Sequence, residues 1–141
     1  MKKLLLLCLS SLLLCSLTAC GRSPAERAER SKPQVAISSD AVLLRRAPAA
    51  NAQITPDGAL RIDDIVLPQP SPTQAKLQLL FGHLQMLRQQ ALANAKPDPR
   101  YSPIAVQSTP QINQLSSELM EAIPPLQAYR DSFGNLQAER H

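Results

Sequence analysis

Residues 52–67, "AQITPDGALRIDDIVL", hold two turns between three short apolar runs, and their reading decides the fold. Pro56-Asp57-Gly58 is turn chemistry: proline presets φ, aspartate favours the turn, and glycine supplies a positive φ. On either side, Gln53-Ile54-Thr55 and Ala59-Leu60-Arg61-Ile62 alternate with period two, as half-buried strands do. Asp63-Asp64 makes a second tight turn into Ile65-Val66-Leu67. The product is a small β-meander with Leu60, Ile62, Ile65 and Leu67 among its apolar positions.

Upstream, Val35-Ala36-Ile37 and Ala41-Val42-Leu43-Leu44 are strand-like runs around Ser38-Ser39-Asp40, which has turn composition. Residues 45–51 read as a loop. Downstream lies the strongest helix, "PSPTQAKLQLLFGHLQMLRQQALANAK", residues 70–96. Ser71 can cap it, Pro72 takes the first position, and Gln74 completes a capping-box pattern. Leu77, Leu80, Leu84, Leu87 and Ala91 recur at 3-4-3-4 spacing and form one stripe, which Leu79, Phe81, Met86 and Leu92 widen. Pro72 to Lys96 spans about 37 Å of helix, and Gly82 costs it about 1 kcal/mol relative to alanine.

Residues 97–109, "PDPRYSPIAVQST", read as a proline-rich connector. Thr109-Pro110 opens another helix bearing Ile112, Leu115, Leu119 and Ile123, and Pro124-Pro125 ends it, since proline lacks the donor and clashes with the preceding turn. Leu126, Tyr129, Phe133 and Leu136 suggest a last short helix, weakened at its end by Gly134. The expected fold class is α+β: a small β-meander followed by two or three helices, with a disordered N-terminal tether and proline-rich connectors. The segments are 1–19, 20–34, 35–96, 97–109 and 110–141.

The order Ile54-Thr55-Pro56-Asp57-Gly58, then Leu60, a tight turn at Asp63-Asp64 and a helix start at Thr73-Gln74 resembles the opening of the YggN-like periplasmic proteins. In that family a β-hairpin with an I-T-P-D-G-like turn leads into a long helix. The resemblance covers roughly residues 35–95. It departs in the Pro68, Pro70 and Pro72 insertion and in lacking the longer helical remainder. The family's function is unknown, so the resemblance implies fold and no active residues.

The N-terminus carries a second resemblance. Met1-Lys2-Lys3 is a short positive start, an apolar run follows from Leu4 to Leu14, and smaller residues lead to Cys20. That pattern is a secretory signal. Leu4–Ala19, interrupted by Ser10, Ser11, Ser16 and Thr18, is short of the about 20 apolar residues of a spanning helix. Leu17-Thr18-Ala19-Cys20 resembles the lipobox of bacterial lipoproteins. The resemblance implies cleavage between Ala19 and Cys20 and diacylation of the Cys20 sulfur. Gly21, where aspartate would retain an enteric-type lipoprotein at the inner membrane, resembles the outer-membrane class. The implied partner is the membrane, through acyl (palmitate-type) chains on Cys20, at the periplasmic face of the outer membrane. Two or more chains hold firmly because each buried CH₂ contributes about 0.8 kcal/mol. Residues 21–34, with "RSPAERAERSKP", read as a solvated tether. "AERAER" can form a helical turn with Glu26 and Arg30 at i,i+4.

Composition narrows the remaining classes. Without Lys2 and Lys3, 13 basic residues face 11 acidic ones. Basic residues are not clustered, and Phe81, Tyr101, Tyr129 and Phe133 lie far apart, so no nucleic acid is expected as a partner. The 13 prolines exceed the usual frequency of about 5% and argue for a modest core. A metal site needs converging ligands; the mature chain has only His83 and His141 as histidines, and neither metal nor cofactor is expected. A hydrolase would need His83 as its base, yet no G-x-S-x-G elbow accompanies any serine. Asp63 and Asp64 belong to a turn. The expectation is a non-catalytic accessory or scaffold acting on another envelope protein, with a hydrolase using His83 and a membrane-active lipoprotein as alternatives. The stripe of Leu77, Leu80, Leu84 and Leu87 is wide enough to pack on the meander and the 110–123 helix as core. Any part left open is a possible partner surface.

Overall fold

The computed structural model describes residues 24–141. The chain divides into two units, residues 1–30 and 31–141. Within the segment read as a tether, α1 (Pro24–Ser31) is a two-turn helix opened by proline, the alternative that "AERAER" allows. The second unit holds a sheet and all later helices.

Five antiparallel strands follow one another: β1 (Gln34–Ile37), β2 (Val42–Arg45), β3 (Ala52–Ile54), β4 (Leu60–Ile62) and β5 (Ile65–Leu67). Helix α2 (Ser71–Asn94) comes next, then β6 (Ile104–Val106), α3 (Pro110–Ala122), a 3₁₀ segment (Pro124–Gly134) and β7 (Leu136–Ala138). One seven-stranded sheet results, in the order β5-β4-β3-β2-β1-β7-β6. The last strand lies parallel to the first, with Val35 opposite Leu136 and Ile37 opposite Ala138, while β6 flanks β7 antiparallel. The α+β class and the meander are as the sequence indicates.

Two elements differ from expectation. The proline-rich connector contains β6, and the C-terminal apolar pattern is not one helix. Pro124-Pro125 removes two successive donors, the chain tightens into i→i+3 geometry, and Leu136 belongs to a strand. Three side-chain hydrogen bonds hold the 3₁₀ segment against the β2–β3 region: Tyr129 Oη donates to the Ala50 carbonyl, Ser132 Oγ donates to the Arg45 carbonyl (2.9 Å), and Arg46 Nη1 donates to the Ala128 carbonyl (2.6 Å).

The register sorts the side chains into two faces, because side chains alternate along a strand. Val35, Ile37, Val42, Leu44, Ala52, Ile54 and Leu60 form rows on one face, all fully buried beneath the helices. The opposite face carries the row Val66-Arg61-Gln53-Leu43-Ala36-Gln137-Ala105. From α2, Leu77, Leu80, Phe81 and Leu84 enter the core, and from α3, Ile112, Leu119 and Met120 join them.

The turns do more than reverse the chain. Gly58 has φ +76°, and a Cβ there would lie 2.5 Å from the backbone oxygen of Gln74. The Pro56-Asp57-Gly58 turn thus seats directly on the start of α2, and Gln74 Nε2 donates to the Asp57 carbonyl at 3.0 Å. That bond corrects the capping-box reading: Pro70, not Ser71, is the cap residue, and no side chain caps the helix. Thr109 does cap α3, accepting from the Ile112 amide at 3.3 Å. Asp63 and Asp64, with φ 52° and 62°, make the two-residue loop with positive φ at both positions that matches strand twist.

At the far end of α2, Arg88 is 5% exposed. Its Nε donates to the Glu139 carbonyl (2.8 Å) and its Nη2 to the His141 carbonyl (3.2 Å). A buried charge needs such partners, and here they tie α2 to the chain leaving β7.

Two stability outcomes follow. Gly58→Ala combines a positive φ with a backbone clash and lowers stability by at least about 2 kcal/mol, as read by urea denaturation. Arg88→Met keeps the stem, strips both carbonyls of their donor, and costs about 1–3 kcal/mol in the same assay. A loss below about 0.5 kcal/mol for either would contradict the packing described.

Candidate functional site

Helix α2 is the element that the sequence singles out, and the structure divides its apolar residues between two sides. Leu77, Leu80 and Leu84 are buried at 0%, 1% and 0% exposure, and Leu87 packs partly buried against the same core. Leu77, Leu80 and Leu84 are therefore core and not surface, while Leu87 keeps part of its side chain exposed. The reason is geometric: the sheet lies on one side of this stripe and α3 on the other, so the stripe is consumed within the fold.

Leu79 and Met86 do not widen that stripe. They project away from it, at 53% and 60% exposure. At 100° per residue, Ala75, Leu79, Gly82, Met86 and Ala93 fall on one line opposite Leu77, Leu84 and Arg88. Ala75 and Ala93 are exposed as well. A helix with apolar residues on both sides departs from the one-sided pattern of an ordinary surface helix. The helix carries only two formal charges at neutral pH, Lys76 and Arg88. Arg88 is buried, and Lys76 Nζ lies 2.7 Å from Glu118 Oε2 on α3. The outward face is thus uncharged, bordered by Gln78, Gln85, Gln90 and His83.

Two other regions present surface of a different kind. On the sheet's outer face, Leu43, Gln53 and Arg61 form a cross-strand row that lines a shallow depression with Asn51, Asp63 and Asp64. Its amides, guanidinium and carboxylates offer both hydrogen-bond donors and acceptors. The adjoining edge strand β5 exposes Ile65 (67%) and Val66 (49%). Beyond α2, Leu92, Pro97, Asp98, Pro99, Tyr101 and Arg140 surround an open concavity. Arg140 holds it together, donating to the Ser102 carbonyl (2.8 Å) and to the Lys96 carbonyl (3.1 Å).

The remaining sequence candidates are placed as follows. Ala19, Cys20 and Gly21 lie outside the described residues. His83 sits partly exposed on α2, and no hydroxyl or carboxylate is hydrogen-bonded to it among the described residues. Asp63 and Asp64 are both exposed turn residues. Among the described residues, no group of three or more His, Cys, Asp or Glu side chains is placed to hold a metal ion. Among the described residues the structure does not bring His83 into a nucleophile–base pair, and it leaves Leu79 and Met86 exposed on one side of α2. The sequence reading missed the outward line on α2. The signal was present: Leu79 and Met86 are seven residues apart, in a different phase from Leu77 and Leu84.

Among the described residues, three carboxyls sit below their usual range. Asp57 is lowered chiefly by the Thr55 hydroxyl, Asp98 by the Arg100 amide and then by Ser102, and Glu118 by Lys76 and then Gln114. A carboxyl with a depressed folded pKa contributes stability above its unfolded value, and that contribution is lost as pH falls through the folded one. The melting temperature is therefore expected to fall on acidification below about pH 5. Asp98→Asn should make that fall shallower; an unchanged pH profile would remove Asp98 from the account.

Comparison of the chain with models of protein families, with curated proteins and with solved structures finds no match.

Proposed function

We propose that this chain is a lipid-anchored protein of the bacterial cell envelope that works without catalysis, as an accessory or scaffold for another envelope component. The observation that carries the reading is Leu17-Thr18-Ala19-Cys20, placed after a positive start and an apolar run. Cys20 would be the acylated N-terminal residue after cleavage behind Ala19. Gly21 supports release to the outer membrane, where the body would stand at the periplasmic face.

The body supports a binding role in its own terms. No helix among the described residues is long and apolar enough to cross a membrane; in this reading attachment is through the acyl chains on Cys20. Leu79 and Met86 on α2, and Ile65 and Val66 on the edge strand β5, are exposed, two separate apolar surfaces on a small unit that a partner could cover. The polar depression around Gln53 and Arg61 adds donors and acceptors that can orient a partner. Confinement to a membrane raises the effective concentration toward anything held there.

The test is metabolic labelling with a fatty-acid analogue, followed by membrane fractionation of the wild type and of Cys20→Ser. The wild type is expected to carry label and sediment with membranes. Cys20→Ser is expected to carry none and, if its signal is still removed, to appear in the soluble fraction. Unlabelled wild type, or equal labelling of both, would reject the anchor.

A further inference from the structure

Gly82 sits in the middle of α2 without a reason inside the monomer. A Cβ added there meets nothing within 4 Å, and glycine in a helix interior costs about 1 kcal/mol relative to alanine. It lies on the outward line between Leu79 and Met86, with Ala75 and Ala93 toward the two ends. The spacing 75, 79, 82, 86, 89, 93 runs 4-3-4-3-4, which is the heptad spacing of a helix–helix seam. This seam is separate from the buried one through Leu77, Leu80 and Leu84.

We infer that the outward face of α2 docks on the same face of a second copy of this chain, the two helices antiparallel. The face is complementary to itself. With the two-fold axis at Leu84, Met86 stands against the partner's Gly82, Leu79 against the partner's Gln89, and Ala75 against the partner's Ala93. Gly82 takes the partner's Met86 in return. Met86, at 60% exposure, thus meets a position without a side chain, small meets small at the ends, and Leu79 packs on the stem of the partner's Gln89. An isologous contact sets each patch against itself, so a charged face would meet like charge. This face carries no formal charge: Lys76 lies about 100° around the helix from the line, where it pairs with Glu118 on α3, and Arg88 is buried.

The contact is small. From Ala75 to Ala93 the helix is about 27 Å long, so the footprint falls well below the roughly 800 Å² per partner of a standard stable interface. Pairing is therefore weak in dilute solution. It becomes substantial where copies are concentrated, as on a shared membrane, and this last step rests on the anchor proposed above.

The test uses the full chain in cells, with a photo-crosslinking residue at Leu79 and, as a control, at Gln137 on the sheet's outer face. A second, differently tagged copy is co-expressed. The expected result is an adduct at twice the mass of the chain, containing both tags, from Leu79 and not from Gln137. Gly82→Leu fills the hole and should reduce the adduct about tenfold or more, while the melting temperature does not fall. Three results would each overturn the inference: no adduct from an expressed, folded chain, an adduct containing another protein, or a homodimer indifferent to Gly82→Leu. Fatty-acid label is read in parallel. Labelled wild type without adduct fails the pairing alone, and unlabelled wild type with adduct fails the anchor alone.

Discussion

The parallel pairing of β1 with β7 is the contact from which the rest of the body hangs. Val35 donates to the Asn135 carbonyl (2.9 Å), and Glu139 donates to the Ile37 carbonyl (2.9 Å). The residues joined are about a hundred apart, and closing a loop of that length costs about 4 kcal/mol plus a constant. Local turn chemistry cannot supply this. The burial of Val35, Ile37 and Leu136, at 0%, 0% and 2% exposure, offsets it at about 1.5–3 kcal/mol each. Once β7 is beside β1, β6 has an edge to join, and the 3₁₀ segment is brought against the β2–β3 region. Asn135 Nδ2 reinforces the seam by donating to the Pro33 carbonyl at 3.1 Å.

The seam also decides how α2 lies. Its first turns rest on the Pro56-Asp57-Gly58 turn, and its later turns are tied through Arg88 to the chain leaving β7. Held at both ends, the helix has no rotational choice. One side faces the sheet and α3, and the other, with Leu79, Gly82 and Met86, faces outward. The uncharged outward line is thus a consequence of where the sheet holds the helix. In the functional reading, membrane attachment belongs to Cys20 and the folded body supplies contact surfaces.

Much of the fold was legible because it rests on local chemistry. Pro56-Asp57-Gly58 and Asp63-Asp64 announce their turns, period-two alternation marks the strands around them, and Thr109-Pro110 and Pro124-Pro125 bracket α3. The losses have physical reasons too. Strands β6 and β7 are as short as β3, β4 and β5, but no hairpin turn brackets them: β6 follows Pro97, Pro99 and Pro103, and β7 follows the 3₁₀ segment. Leu136 follows Leu126, Tyr129 and Phe133 at helical spacing, so its strand pairing was hidden; only the distant β1 makes it a strand. On α2, two apolar lines of like spacing overlapped in one window and were read as one wide stripe. Exposure of Leu79 and Met86 is set by the packing of α3 and the sheet, which no local pattern encodes. The proposed lipid site, by contrast, rests on sequence alone: the positive start, the apolar run and Leu17–Cys20.

The claim that the β1–β7 seam makes the sheet and helices one cooperative unit is tested most directly by native-state hydrogen exchange. The Val35 and Glu139 amides, which bond across the seam, should exchange only through global unfolding, as slowly as the core amides of β2 and α2. Fast exchange at Glu139 and across β7, with the meander and α2 still protected, would contradict it. The body would then be a self-sufficient meander and helix, with its C-terminal third merely leaning on them.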